Sequence, residues 1–398
     1  MHKTYEEMKD SGVEWIGRIP TVWQVLKLKY ITDCLDGRRI PVDAAQRVKG
    51  PYPYWGAGAI MDYVDKYIFD EELILLGEDG APFFDNTRDV AHLVRGKIWV
   101  NNHIHVLKPN SLVNNSFLTH YLNIVNYRSY INGSILNKLT QGNMNKIMVA
   151  LPPLSEQAAI AAYLDDKCGA IDGIITETKA GIEEYKAWKA SVIFEAVTKG
   201  LDPNAEMKDS GVEWIGQIPA GWSVCKVKHL CSMQAGKNLT SEEIEDTGSY
   251  PVYGGNGLRG FYSSFNQDRQ CVLVGRQGAL CGNVHFVKGR FWATDHAVVT
   301  LPTSAEDCKH LYYLLGCMNL NQYASETTAQ PGLSVSLVQN LPSILTPPQE
   351  QVAIAAYLDD KCSAIDSIIA EKEALIAELE TYKKSLILET VTGKRRVC

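Results

Sequence analysis

Two stretches of the chain place apolar residues at helical spacing over about five turns or more. Between residues 156 and 196 the apolar positions recur three, four or seven residues apart, and the same spacing returns near the C-terminus. This spacing is typical of a helix that buries one narrow stripe against another helix, as in a coiled coil. The stripe residues are Leu164, Cys168, Ile171, Ile175, Ile182 and Tyr185 in the first helix, and Leu358, Cys362, Ile365, Ile369, Ile376 and Leu379 in the second.

The two predicted helices are near copies of one another. The stretch "QAAIAAYLDDKC" at residues 157–168 returns as "QVAIAAYLDDKC" at 351–362, with one difference in twelve positions. A Pro-Pro pair precedes each copy, and Thr346-Pro-Pro-Gln349 has the form of a capping box with proline at the first helical position. Two such stripes in one chain most simply bury each other, which predicts a helix pair.

A second repeat lies upstream of each helix. The decapeptide "MKDSGVEWIG" at residues 8–17 returns unchanged at 207–216, and each copy continues into Ile-Pro-x-x-Trp. We call each copy with this extension a box. The order along the chain is cyclic: box, region A (21–150), helix, box, region B (222–345), helix. This order brings the end of the second helix back to the start of the chain, so an antiparallel helix pair is favoured.

Regions A and B share little sequence but keep a faint common skeleton. The stretch "YPYWGAG" at Tyr52 resembles "YPVYGGNG" at Tyr250, and "LILLGEDG" at Leu73 resembles "CVLVGRQG" at Cys271. The repeated parts are therefore interpreted as a frame, and the divergent parts as what the frame carries. We predict an α+β fold with two globular α/β domains separated by two long antiparallel coiled-coil helices, in a pseudo-twofold cyclic repeat.

Composition and charge narrow the class of protein. The net charge of −7 by itself disfavours a nucleic-acid partner, but most of the acidity lies in the helical segments. Residues 86–150 hold seven basic residues, one acidic residue and twelve asparagines, a local surface suited to phosphates and base edges. Ten cysteines without a C-x-x-C argue for reduced thiols in a cytoplasm, and no apolar run approaches the ~20 residues of a membrane span.

Motifs for catalysis or cofactor binding are weak. "GGNGLRG" at residues 254–260 fits G-x-G-x-x-G, but no helix pattern follows it, so we predict a Gly/Asn-rich turn between strands. The histidines of "NNHIHV" (101–106) and "ATDHAV" (293–298) lack a nearby nucleophile or third ligand and are interpreted as structural or DNA-facing. The aspartate pairs at 165–166 and 359–360 are interpreted as a solvated helix face. The sequence contains neither a Walker A motif nor an amino-methyltransferase motif.

The cyclic order, the boxes, the "PP…EQ" helix starts and the "AVTKG" and "TVTGK" helix ends resemble specificity subunits of type I restriction–modification systems, over essentially the whole chain. The resemblance implies two target-recognition domains that each read one half of a bipartite, asymmetric double-stranded DNA site. It implies a non-catalytic chain that docks two methyltransferase subunits and up to two restriction subunits. The complex would be an adenine-N6 DNA methyltransferase and ATP-dependent endonuclease, with S-adenosylmethionine, ATP and Mg on the partner subunits and no cofactor on this chain.

On this reading the chain divides into four parts. Residues 1–150 form the first box and recognition domain, and 151–206 the first spacer helix. Residues 207–345 form the second box and recognition domain, and 346–398 the second spacer helix. The frame would present one surface twice, to two copies of one partner related by a pseudo-twofold axis.

The base-reading residues are predicted from chemistry, because Arg and Lys suit guanine whereas Asn and Gln suit adenine. Two alternatives stay open: a stand-alone enzyme such as a nuclease fused to a recognition unit, whose motifs are missing, and a protein-only scaffold, which the basic stretch of region A disfavours. The predicted DNA contacts are Arg88, Arg95, Asn101, Asn102, Asn143 and Lys146 in region A, and Lys237, Arg259, Arg276, Gln277, Arg290 and Gln330 in region B.

Overall fold

The computed structural model describes residues 5–85, 87–131, 137–278, 280–303, 307–325 and 332–397. The chain forms two compact units, and each long helix contributes to both. Unit 1 comprises Met1–Ala180 and Lys372–Cys398, and unit 2 comprises Gly181–Glu371. The units therefore divide the chain within the helices, whereas the sequence-based division into four parts keeps each helix whole.

Unit 1 begins with the first box and continues through region A into the first long helix. Its elements are β1 (Met8–Asp10), β2 (Arg18–Pro20), β3 (Gln24–Lys27), β4 (Thr32–Cys34), β5 (Lys49–Trp55), β6 (Ile60–Val64), β7 (Phe69–Asp70), β8 (Leu73–Gly77), β9 (Ala91–Val94), β10 (Lys97–Val100), β11 (Ile104–Pro109), α1 (Asn115–Leu122), α2 (Gln141–Met144), β12 (Met148–Leu151) and α3 (Leu154–Lys199), of which the last extends into unit 2.

Unit 2 repeats this order. Its elements are β13 (Met207–Asp209), β14 (Gln217–Pro219), β15 (Ser223–Lys226), β16 (Cys231–Ala235), β17 (Tyr250–Gly254), β18 (Gly257–Tyr262), β19 (Gln267–Asp268), β20 (Cys271–Gly275), β21 (Val284–Val287), β22 (Arg290–Ala293), β23 (Ala297–Pro302), α4 (Cys308–Cys317), α5 (Val335–Asn340), β24 (Pro342–Leu345) and α6 (Pro348–Val391), of which the last extends into unit 1.

The sheets of the two units have the same topology. In unit 1 an antiparallel sheet has the order β4-β11-β8-β9, and a mixed sheet the order β6-β5-β10-β7 with β5 and β10 parallel. Unit 2 has β16-β23-β20-β21 and β18-β17-β22-β19, again with one parallel pair. Each box is a two-stranded hairpin, β1-β2 or β13-β14. The prediction of an α+β fold built as a repeat is confirmed.

Within each unit, segments of α3 and α6 pack together in antiparallel directions. In unit 1 the α3 side chains from Leu164 to Ile175 share one core with Ile376, Leu379 and Leu386 of α6 and with side chains of the sheet β4-β11-β8-β9. In unit 2 Leu358 and Cys362 of α6 share a core with Val192 and Val197 of α3. Most stripe residues are therefore buried, while Tyr185, Ile369, Ile376 and Leu379 are half-buried.

The helix starts differ from the predicted capping box. Thr346 is buried, and its hydroxyl has no hydrogen-bond partner, so the capping box read from the sequence is wrong. Instead, the Gln351 side chain donates a hydrogen bond to the Thr346 carbonyl oxygen at 2.7 Å. Gln157 donates to the Pro152 carbonyl at 2.8 Å in the matching place of unit 1. The glutamine of each "PP…EQ" stretch therefore satisfies a backbone group at the helix start.

Two compositional expectations can be compared with the described residues. None of the described helices combines the length and the apolar character required to span a membrane. The nine cysteines in the described part of the chain are free thiols.

Candidate nucleic-acid interface

The tryptophan that ends each box contacts the start of a long helix. In unit 1 the Trp23 indole donates to Glu156 Oε2 at 3.2 Å, and in unit 2 the Trp222 indole donates to Glu350 Oε2 at 3.1 Å. Both tryptophans are fully buried. The glutamine that follows each glutamate also accepts from the residue preceding α1 or α4, since Gln157 Oε1 binds the backbone N–H of Asn114 at 2.7 Å. The repeated motifs therefore join box, helix and recognition domain by side-chain contacts.

The end of a long helix closes onto each box. In unit 1 Gly393, with φ of 71°, follows α6 and lies against Pro20 and Trp23. The Lys394 ammonium donates to the Ile16 carbonyl at 2.9 Å, and burial lowers the pKa of Lys394. In unit 2 Gly200, with φ of 74°, lies against Trp222 at the end of α3. The boxes are therefore docking sites for the helix ends, which explains why the cyclic order returns to a box.

Ion pairs at matching positions connect the helices within each unit. Lys383 of α6 donates to Asp172 of α3 at 2.7 Å in unit 1, and Lys189 donates to Asp366 at 2.6 Å in unit 2. The first aspartate of each predicted solvated pair is partly exposed, at 58% for Asp165 and 44% for Asp359, and it also contacts a neighbouring helix. Asp165 accepts hydrogen bonds from Ser116 and His120 of α1. Asp359 accepts from Lys309 at 2.9 Å and from Tyr313 at 2.7 Å, both on α4. These carboxylates therefore connect each long helix to the short helix of its recognition domain, α3 to α1 and α6 to α4.

In each recognition domain three turns lie side by side and are joined by backbone hydrogen bonds. We call residues 78–80, 101–103 and 137–139 loop cluster A, and residues 276–278, 294–296 and 332–333 loop cluster B. In cluster A the Glu78 N–H donates to the His103 carbonyl at 3.1 Å, and the Leu139 N–H donates to the Glu78 carbonyl at 2.7 Å. In cluster B the corresponding distances, with Arg276, His296 and Leu333, are 3.0 and 2.8 Å. The two clusters therefore share one backbone frame.

The hairpin turns with the Gly-rich motifs support these clusters. The motif at residues 254–260 is a turn between β17 and β18, as predicted. A Cβ added to Gly77 would lie 2.9 Å from the Ala57 carbonyl, and one added to Gly275 would overlap the Gly255 carbonyl. Glycine lets each hairpin turn approach the end of β8 or β20, where the loop cluster begins.

Several side chains on this shared frame differ between the clusters, whereas His103 matches His296 and Leu139 matches Leu333. Where unit 1 has Glu78 and Asp79, unit 2 has Arg276 and Gln277. In cluster A the Lys138 ammonium lies 3.3 Å from Glu78, and this ion pair raises the pKa of Lys138. His103 Nδ1 lies 2.5 Å from Asp79 Oδ1. Cluster A therefore presents Asn102, His103, Asn137 and Lys138, whereas cluster B presents Arg276, Gln277, Asp295 and His296.

Beneath cluster A lies a buried group of titratable side chains. His105, 1% exposed, binds Asp36 Oδ2 through Nδ1 at 2.6 Å and the Leu139 carbonyl through Nε2 at 2.7 Å. The Arg39 guanidinium lies 2.6 Å from Glu78 and 3.4 Å from Asp36. Burial alone would raise the pKa of Asp36, but the hydrogen bond from His105, its charge, the Val106 N–H and Arg39 together lower it.

Three side chains of this region have the donor atoms of a metal site. The ligand atoms of Cys34, Asp36 and His105 all lie within 4.8 Å of one another. However, burial raises the pKa of the Cys34 thiol, both ring nitrogens of His105 are engaged, and the Arg39 guanidinium already stands beside the carboxylates. A divalent cation would meet a protonated thiol and a neighbouring cation, so these residues do not fit a metal.

The predicted DNA contacts of region A have mixed outcomes. Asn101 is corrected: it is 5% exposed, and its side chain accepts from the His103 N–H, so it holds a turn. Asn143 is half-buried and donates to the Tyr130 carbonyl at 2.9 Å. Arg95 is exposed but pairs with Glu72 at 2.8 Å. Of the six, the structure places two in loop cluster A, the buried Asn101 and the exposed Asn102. The exposed candidates of region A are Arg88, Arg95, Asn102 and Lys146.

The predicted contacts of region B lie mainly on the exposed side of the sheets. Arg276, half-buried, and Gln277, exposed, belong to loop cluster B. Lys237 lies close by, since its carbonyl accepts from the Trp292 indole at 3.1 Å, and Arg259 reaches the Ser241 hydroxyl at 3.3 Å. Arg290 pairs with Asp268 at 2.9 Å and stacks on Phe265. Gln330 lies outside the described residues.

Sequence reasoning missed Glu78, Asp79 and Lys138 of cluster A and Arg39 beneath it, whereas His103 was among the histidines interpreted as structural or DNA-facing. A signal was present in the aligned stretches "LILLGEDG" and "CVLVGRQG", which differ at the two positions before the last glycine. Those positions are the cluster residues Glu78 and Asp79 in one unit and Arg276 and Gln277 in the other.

Comparison with known proteins agrees with this architecture. A family model described as "Type I restriction modification DNA specificity domain" matches residues 20–184 and 219–381. The Escherichia coli protein named type I restriction enzyme EcoprrI specificity subunit is 41% identical over 143 residues, 35% of this chain and 35% of that protein. The chain thus spans about a third of the length of this curated relative.

Two further matches cover nearly the whole chain. The Methanocaldococcus jannaschii protein named type I restriction enzyme MjaVIII specificity subunit is 24% identical over 96% of this chain and 94% of its own length. A solved structure, described as the structural basis of complex assembly and conformational transition of the type I R-M system, is 15% identical. It covers 94% of this chain and 98% of its own, with a TM-score of 0.65, and this likeness shows the fold. Because the family model matches most of the chain in two successive copies, the chain belongs to the type I restriction–modification DNA specificity domain family.

Proposed function

We propose that the chain is a sequence-specific double-stranded DNA-binding specificity subunit, in which each recognition domain reads one half of a bipartite, asymmetric site. The observation that carries the proposal is the contrast between the two loop clusters. They share backbone hydrogen bonds and a histidine at one matching position, His103 or His296, yet Glu78, Asp79 and Lys138 of one stand where the other has Arg276, Gln277 and Gly332. Different polar side chains on one backbone frame suit two different base sequences.

The chemistry of each cluster fits base edges. A guanidinium such as that of Arg276 pairs with the O6 and N7 acceptors of guanine, and a carboxamide such as that of Gln277 pairs with adenine. In cluster A, Asn102 offers the same carboxamide chemistry. The exposed Lys237 beside cluster B and the partly exposed Lys138 within cluster A are suited to phosphate contacts that hold the register of the DNA.

The repeated frame supports partner docking in duplicate. Identical boxes and nearly identical helix starts place the same side chains, among them Lys9 and Lys208, on the surface of each unit. Such a frame would dock two copies of one methyltransferase subunit, with up to two restriction subunits joining the complex. The chain itself would be non-catalytic, and S-adenosylmethionine, ATP and Mg would be bound by the partners.

The experiment is a selection from a random double-stranded DNA library, carried out with the full chain alone and with its methyltransferase subunit. The complex is expected to enrich one motif made of two half-sites with an unread spacer, and to methylate adenine in both halves. The chain alone is expected to neither methylate nor cleave the selected DNA. A library that emerges without a motif, or a chain that is active alone, would contradict the proposal.

The two halves are separable in the same assay. Replacing region A by the corresponding region of another family member is expected to change one half of the motif, because the frame contacts at Trp23 and Glu156 stay intact. A change in both halves would show that the domains do not read DNA independently.

A further inference from the structure

The buried group beneath loop cluster A connects elements that are far apart in sequence. Asp36 follows β4, His105 lies on β11, and Leu139 precedes α2. Asp36 Oδ1 also accepts from the Val106 N–H at 2.9 Å, so the carboxylate holds β11 from two sides. The Arg39 guanidinium then reaches Glu78 and the Ile104 carbonyl, at 2.6 and 2.9 Å. We call Asp36, Arg39, Glu78 and His105 the cluster A network.

The hydrogen bonds of His105 tie two distant elements together. Nε2 donates to the Leu139 carbonyl, which can only accept. Nδ1 lies 2.6 Å from Asp36 Oδ2, and Asp36 Oδ1 accepts from the Val106 N–H. His105 therefore bridges a carboxylate and the backbone of the 137–139 turn. The groups facing it are Asp36, Glu78, Arg39 and Cys34.

The second unit builds the same frame without these charges. Strand register places Val298 where unit 1 has His105, because His105 pairs with Leu76 of β8 and Val298 with Val274 of β20. Ala235, paired with Val298, stands where unit 1 has Asp36. The backbone hydrogen bonds of the loop cluster persist in unit 2. The fold therefore does not require the network.

A buried set of charges is costly to desolvate and can often be replaced by apolar side chains without loss of stability. Its retention in unit 1 points to a role in fixing one geometry rather than in overall stability. The network contacts the backbone of the 101–103 and 137–139 turns, which carry Asn102, His103 and Lys138, and it includes Glu78 of the third turn. Arg39 also reaches the Asn102 carbonyl, at 3.5 Å.

We infer that the cluster A network, with His105 at its centre, is a set of positioning residues that determines how the first recognition domain reads its half-site, whereas the second domain reads without such a device. This inference rests on the proposed function. The network does not touch DNA itself, since His105 and its neighbours are buried or nearly so. It holds the exposed side chains of cluster A in one arrangement, which is a condition for discrimination between bases.

The test is the double variant Asp36→Ala/His105→Val, which installs the residues that unit 2 carries at these positions. The variant, in complex with the methyltransferase subunit, is taken through the same random-library selection as the wild type. The complex is expected to assemble and to keep the second half-site unchanged. Discrimination at one or more positions of the first half-site is expected to fall about tenfold, the order of one lost base contact.

Two further variants keep the test decisive. Arg39→Lys retains the charge but loses the two-pronged geometry, and is expected to relax the same positions of the first half-site to a smaller extent. Val298→Ala, at the matching place of unit 2, removes buried volume without removing charge and is expected to leave the second half-site readable. A purely structural role would instead lower complex yield and leave both half-sites as they are.

The inference is overturned if both unit 1 variants retain full discrimination of the first half-site. It is also overturned if the two half-sites relax together, since that pattern reports general destabilisation. Either result leaves the proposed function intact, because that function fails only if the wild-type complex selects no bipartite motif.

Discussion

The closure of unit 1 by the end of α6 yields a prediction that a single methyl group can test. Gly393 follows the helix with φ of 71°, and a Cβ at this position would lie 2.7 Å from Pro20 Cγ, closer still to Pro20 Cδ, and 3.3 Å from Trp23. The change Gly393→Ala therefore imposes two costs. The left-handed backbone costs a residue with a Cβ about 1–2 kcal/mol, and the overlap with the box adds about 1–3 kcal/mol.

The matched control is Gly12→Ala, which separates the two costs. Gly12 has φ of 72°, and a Cβ there would meet nothing within 4 Å. This variant is expected to lose about 1 kcal/mol or less, because the backbone cost is partly offset by the smaller entropy of the unfolded alanine chain. Gly200→Ala, whose Cβ would lie 3.3 Å from Trp222, is expected to fall between the two.

The measurement is thermal and urea denaturation of the full chain and the three variants. A difference of about 2 kcal/mol between Gly393→Ala and Gly12→Ala corresponds to about 4–8 °C in the melting temperature of a unit of this size. If the two variants melt together, the helix end does not pack on the first box, and the account of the closed frame is wrong.

Three further predictions concern the helices. Gly169→Ala is expected to raise the free energy of unfolding by about 1 kcal/mol, since its Cβ would meet nothing within 4 Å, and an unchanged urea midpoint would contradict this. The fragment 1–206 is expected to dimerise, because residues 181–206 match those that close unit 1; a monomer in analytical ultracentrifugation would count against it. Four residues inserted after Thr178 and after Lys372, next to the unit boundaries, are expected to keep both half-sites and widen the spacer by about one or two base pairs, since each insertion adds about 6 Å; an unchanged spacer in the methylation map would refute this.

The helices and the repeat could be predicted because their signals are local and occur twice. The stripe from Leu164 to Ile175 follows the period of a helix, and the second copy removes the ambiguity that a single apolar run would leave. The Gly-rich turn before β18 was also predictable, because glycine marks a close approach of backbone.

The charge of region A could not be read from a window of sequence. Some basic residues of 86–150 meet acidic residues from the turn between β7 and β8: Lys108 pairs with Glu71 at 2.6 Å and Arg95 with Glu72 at 2.8 Å. The fold brings together residues more than 20 positions apart, so a local count of charges overstates the free positive surface. With Lys138, which lies 3.3 Å from Glu78, three of the seven basic residues of this stretch pair with carboxylates.

The network beneath cluster A was hidden for the same reason. Asp36 and His105 are 69 positions apart, and neither belongs to a motif with a characteristic spacing. Asn101 was chosen as a base-reading residue, but asparagine side chains also hold turns. Here the Asn101 side-chain oxygen accepts a hydrogen bond from the His103 backbone N–H.

The side chains of the frame recur in both units, whereas many of those in the loop clusters differ. This contrast follows from two kinds of contact. In the frame the elements are joined by side chains, as with the Trp23 indole on Glu156 and the Lys383 ammonium on Asp172, so the residues must be the same wherever the contact recurs. In the loop clusters the joining groups are backbone N–H and carbonyl groups, which every residue except proline supplies. Side chains there can differ without disturbing the fold. A specificity subunit that keeps its partners while changing its target needs this division, and cluster A adds side-chain contacts to its backbone frame, from Asn101 and from the cluster A network.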